Sequence, residues 1–147
     1  MVFQAESSKS SACTLCVKEI YPTISYQVQK LFGNNAGDAW PPTKIEDLGQ
    51  GERFAASAVQ DEETGDVIVK LVNGDGETRV VSLHLDGATG PAAEAHVTVL
   101  AGDCPDIRND QRNPERVMPE KTTIGIGPEV EYQAPAYSLT VIRMKHR

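Results

Sequence analysis

Apolar residues change period once along the chain. Ile24, Val28, Leu31 and Phe32 recur at the three- and four-residue spacing that lines one helical face, which predicts a helix over residues 23–32. Pro22 and Thr23 suit its first turn, and Gly33 can take the left-handed conformation that closes a helix. A turn-rich crossover follows (36–52), where Pro41-Pro42 forbids helix and favours an extended connection.

From Arg53 onward the period is two. Residues 53–60 place Phe54, Ala56, Ala58 and Gln60 on one face, and DEETGD (61–66) is a turn. In 66–73, Val67, Val69 and Leu71 alternate with Ile68, Lys70 and Val72, so both faces are largely apolar, as in the middle of a covered sheet. NGDG (73–76) signals a hairpin to a paired strand over 78–85, with Val81, Leu83 and Leu85 alternating. After a turn at 86–92, residues 93–102 bury either Ala95, Val97 and Val99 or His96, Thr98 and Leu100. Residues 104–121, with three prolines, read as a long polar loop. Glu129 to Gln133 reads as a short edge strand, and Tyr137 to Met144 as the last, with Tyr137, Leu139, Val141 and Arg143 alternating. Strands at intervals near ten residues predict an all-β fold, an antiparallel β-sandwich of jelly-roll type preceded by one short helix.

The junction residues SYQVQKLFGNNAGD (25–38) resemble the point in family 51 α-L-arabinofuranosidases where the last helix of a catalytic (β/α)₈ barrel leads into a C-terminal β-sandwich. DEETGDVIVKLVN (61–73) is similar to that sandwich's central hairpin, and TVLAGD (98–103) to a later strand and turn. NPERVMP (113–119) is similar to its long loop, and PAYSLTVIRMK (135–145) to its closing strand. The resemblance runs in family order from about Tyr21 to Lys145. It divides the chain into an unplaced leader (1–18), the last barrel helix with its crossover (19–52) and the sandwich (53–147). The serine-rich leader shows no periodicity and is expected to be disordered or misread at the gene level.

At 147 residues the chain is long enough for one domain, burying roughly two-thirds of its unfolded surface. The net charge of −7 repels phosphate backbones and anionic lipid, so neither nucleic acid nor a membrane is an expected partner. Residues 1–20 hold lysines but no apolar segment, so they do not read as a signal peptide, and the sequence does not set a compartment. Arg143, Lys145, His146 and Arg147 read as a solvated tail.

Candidate chemistry is sparse. Cys13 and Cys16 have the spacing of a redox pair or half a zinc site, but Cys104, His84, His96 and His146 are scattered singly, so no metal site is assigned. Asp61, Glu62, Glu63 and Asp66 offer calcium-type oxygens in too short a loop, flanked by strands, and read as a hairpin turn. No GxSxG elbow or phosphate cradle occurs, and no cofactor is assigned. Phe32 and Phe54 are expected in the core, leaving Trp40 as a poor beginning for a sugar-stacking platform.

The resemblance implies a retaining glycosidase with two glutamates on barrel strands, one directly after an asparagine. No Asn-Glu pair occurs here, so no catalytic residue is assigned to this chain. In a full enzyme the resemblance implies release of terminal arabinofuranosyl residues from arabinan or arabinoxylan, with this domain as a structural partner of the barrel. It also implies that the apolar stripe of residues 24–32 has lost its cover, which predicts self-association through the helix or fraying. The alternatives are a free-standing module that binds polysaccharide or protein and, more remotely, a hydrolase with an unforeseen site.

Overall fold

The chain, seen in a computed structural model, is described over residues 21–41, 53–84 and 93–145. Its elements are α1 (Ile24–Asn34), β1 (Phe54–Gln60), β2 (Val67–Asn73), β3 (Arg79–His84), β4 (Ala93–Ala101), β5 (Glu120–Ile126), β6 (Glu129–Ala134) and β7 (Ser138–Met144). The strands form an antiparallel five-stranded sheet in the order β1-β2-β7-β4-β5 and a two-stranded sheet of β3 and β6. This is the all-β sandwich with one short helix that the alternation predicts.

The alternation explains two cores. Val69 and Leu71 on β2, Ala95 and Val97 on β4, and Ile142 and Met144 on β7 point between the sheets. There they meet Val81 and Leu83 of β3 and Val130 and Tyr132 of β6. The opposite residues of the large sheet, Val59, Ile68, Leu100, Leu139 and Val141, form a second core on its outer face. β2 and β7 are apolar on both sides because both sides are covered, as expected for strands inside a sheet. On β4 the set Ala95, Val97 and Val99 faces the inter-sheet core, while Leu100 joins the outer one.

What covers the outer face is α1. Leu31 is buried there, with Ile24 and Val28 packed beside it and Val117 and Ile107 closing from the long loop. The expectation that this stripe lacks a docking surface is therefore corrected: its seat is the chain's own sheet, and the motive for self-association through it falls away. Burial of such side chains stabilises by roughly 1.5–3 kcal/mol each before entropy, which is ample reason for the helix to dock. Phe32 is also a correction. It flanks the contact and stays 41% exposed, whereas Phe54 is buried as expected.

The helix ends differ from expectation as well. Thr23 is the N-cap, its hydroxyl accepting from the Tyr26 amide at 3.1 Å. Gly33 does not close the helix; it lies inside, and Asn35 caps the end. The Asn35 side chain donates to the Leu31 carbonyl at 2.8 Å and its backbone N–H to Phe32 at 3.3 Å. Gly37 matters through close approach instead. A β-carbon there would lie 2.7 Å from the Gln60 carbonyl oxygen, where the Ala39–Gln60 bridge ties the crossover to β1.

Two strand expectations are also corrected. NGDG does not make a hairpin, because β2 already has β1 and β7 on its edges and β3 pairs with β6 in the other sheet. The Asn73 amide donates to the carbonyls of Glu77 at 2.8 Å, Ala134 at 3.2 Å and Pro135 at 2.8 Å, and its oxygen accepts from the Asp75 N–H at 3.0 Å. One buried asparagine thus clamps two of the places where the chain changes sheets, from β2 to β3 and from β6 to β7. The expected loop over 104–121 takes in the first two residues of β5, an edge strand whose exposed Glu120, Lys121, Thr122 and Thr123 hide the pattern. Leu85, the leader with its cysteines, and most of the crossover lie outside the described residues.

Candidate functional site

Each group that carries chemistry is held by an identifiable local device. In the acidic turn after β1, Asp61 accepts from the N–H groups of Glu63 at 3.1 Å and Thr64 at 3.2 Å, and Gly65 supplies the positive φ of 74° that the turn needs. Arg143 reaches across from β7, donating to Asp66 at 2.6 Å and Asp61 at 2.7 Å, with the Thr64 hydroxyl at 3.2 Å. The Thr64 amide, then its hydroxyl, and Arg143 hold the Asp61 carboxyl below its ordinary range. The Asp66 carboxylate, and then Asp61, push Arg143 further up. These carboxylates close a turn, and Arg143 belongs to this clasp rather than to a solvated tail.

The helix and the long loop meet at a second device. Asn109, buried, donates to the carbonyls of Pro22 and Val117, each at 3.0 Å, and accepts from the Val117 N–H at 2.9 Å. Gln27 is buried against the Met118 sulfur at 3.4 Å. Between Thr23–Ser25 and Pro105–Asn109 lies a shallow, open groove of about 370 Å³. Its walls carry one carboxylate, Asp106, and one guanidinium, Arg108, without an enclosed reaction space.

His84 and His96 stand apart on exposed strand faces. His84 Nε2 lies 3.8 Å from Glu129, and His96 Nδ1 lies 3.5 Å from the Thr123 hydroxyl. Glu129 and Glu131 share the outward face of β6, opposite His84 and Ser82, on a sheet face without a cleft. Among the described residues, no three His, Cys, Asp or Glu side chains gather as a metal site. Trp40 is 82% exposed at the start of the crossover.

Lys70 is the unexpected member. It sits on the outer face of β2, almost buried, with its ammonium 5.1 Å from the centre of the Phe32 ring. Burial pushes its pKa down. Sequence reasoning missed Lys70, Asn109 and Arg143 as structural centres. The only signal for Lys70 was a lysine inside an otherwise apolar strand.

The comparisons agree with this geometry. The family described as the alpha-L-arabinofuranosidase C-terminal domain matches residues 10–138, beginning inside the stretch the sequence reading leaves unplaced. An extracellular exo-α-L-arabinofuranosidase of Streptomyces chartreusis is 35% identical over 97 residues, 65% of this chain and 11% of that protein. The arabinose-bound structure of MgGH51 α-L-arabinofuranosidase superposes with a TM-score of 0.75 at 25% identity, over 88% of this chain and 20% of that one. The arabinose complex of the Thermotoga maritima α-L-arabinofuranosidase shares the fold, with a TM-score of 0.69 at 21% identity, over 84% of this chain and 29% of that one. The chain spans less than a third of each of these proteins.

Proposed function

The chain belongs to the α-L-arabinofuranosidase C-terminal domain family of glycoside hydrolase family 51, and from that premise we propose that it is the non-catalytic accessory sandwich of such an enzyme. Its partner is a catalytic barrel carried in the rest of the parent protein. The parent reaction is double displacement at terminal arabinofuranosyl residues of arabinan or arabinoxylan. The observation that carries this reading is the family match over residues 10–138, beside which the larger part of each enzyme compared above lies outside the stretch this chain covers.

The disposition of the carboxylates supports it. A retaining glycosidase holds two carboxyl groups about 5 Å apart across a cleft, one of them protonated near neutral pH. Here Asp61 and Asp66 clasp Arg143, Asp75 bonds Arg79 at 2.5 Å, and Glu129 and Glu131 stand on an open strand face. The role that remains is mechanical: the domain supports the barrel and shields surface that would otherwise meet water.

A free-standing sugar-binding module draws chiefly on Trp40, the most exposed of the aromatic rings among the described residues, with Tyr26 and Phe32 less exposed on α1. A single ring gives stacking on one face of one sugar, which is a weak platform. Affinity electrophoresis of the purified chain in arabinan and in arabinoxylan separates the two readings. The accessory role predicts no retardation. Retardation that Trp40→Ala abolishes would establish the binding module instead.

A further inference from the structure

Lys70 lies beside α1 with only 8% of its surface exposed. Withdrawing an ammonium from water is costly, so buried cations ordinarily have a carboxylate partner. The ion pairs among the described residues draw on Arg79, His84 and Arg143, and none reaches Lys70. Its neighbour is the Phe32 ring, itself 41% exposed. Val72, two residues further along the same face of β2, is 38% exposed, and Ala55, opposite it in the register, is exposed too.

We propose that this shelf, on the outer face of β1 and β2 beside the last turn of α1, is where the remainder of the parent enzyme seats. That part lays an apolar surface on Phe32 and Val72 and presents a carboxylate to Lys70. The assignment rests on the accessory-domain reading above. Two observations select the occupant. The shelf asks for apolar cover and one negative charge, and the chain accounts for only 20% of the MgGH51 enzyme on which it superposes. A second copy of this chain fits poorly: a two-fold contact would set Lys70 near its own mate, between two molecules of net charge −7.

The test is a reversal of sign. Lys70→Met keeps the packing of the side-chain stem and removes the charge. In the isolated chain it raises the melting temperature by roughly 3 °C, since no ion pair is lost. In the parent enzyme it lowers the melting temperature by a similar amount, as does Val72→Lys, which leaves the isolated chain within about 1 °C of wild type. If Lys70→Met stabilises both proteins alike and Val72→Lys is silent in both, the seat lies elsewhere and the accessory reading stands. If the parent enzyme melts in two independent steps at the temperatures of its separated parts, both the seat and the accessory reading fail.

Discussion

At Thr140 a hydroxyl lies in the inter-sheet core with no hydrogen-bond partner, between Leu71 and Val99 in the register. An unmet buried polar group destabilises by about 1–3 kcal/mol, and valine has nearly the same shape. Thr140→Val should therefore raise unfolding free energy by about 1 kcal/mol, read from urea denaturation, and a decrease would show that the hydroxyl has a partner. Asn109 is the opposite case. Its replacement by alanine strands two carbonyls and one N–H, and should cost about 2–4 kcal/mol. The sequence marks Asn109 only as a loop residue; its partner Pro22 lies 87 positions away, a distance no local pattern spans. Titration is also a residue-scale matter. Asp61 is held low by the Thr64 amide and hydroxyl and by Arg143, and Asp110 by the amides of Asn113 and Arg112. A depressed folded-state carboxyl stabilises above its unfolded pKa, near 4, and loses that contribution as pH falls through the lower folded value. Stability should thus be level from pH 7 to 5 and decline below about pH 4, and Asp61→Asn with Asp110→Asn should flatten that decline. An unchanged acid limb in the double variant would remove these two groups from the account.

Among the elements, α1 was legible in its existence and its stripe but not in its seat. Ile24, Val28 and Leu31 announce a covered face; only the fold reveals that the cover is Ile68, Leu139 and Val141 on the same chain. Ile68 lies on the one strand that reads as apolar on both faces, and the two observations belong together: the helix is what the second face is for. Leu31→Ala should cost about 2–4 kcal/mol and strip amide-exchange protection from the helix, with no change in oligomeric state. Dissociation of an oligomer on that substitution would restore the self-association reading. Strand alternation gave β1, β2, β4, β6 and β7 because each has a clean inner face. It failed at β5, where one face and one edge meet water and only Ile124 and Ile126 are apolar. It also misassigned the partner of β3. A local Asn-Gly signal reports a bend, and the bend here carries the chain to the other sheet because the edges of β2 are occupied.

For the molecule as a whole, the ordered series of short motifs from Tyr21 to Lys145 was more informative than any chemical constellation, and the family match over residues 10–138 has the same content. No catalytic residue was assigned from sequence because the chain lacks an Asn-Glu pair, and the carboxylates that the fold gathers are committed to Arg143 and Arg79 or stand on open strands. The central claim is that this domain supports catalysis without performing it. The most direct measurement is release of nitrophenol from nitrophenyl α-L-arabinofuranoside by the purified chain, followed to high enzyme concentration. The account predicts the buffer rate, unaltered in Glu129→Gln and Glu131→Gln. Turnover that scales with the chain would contradict it, and its loss in either variant would identify the carboxylate responsible.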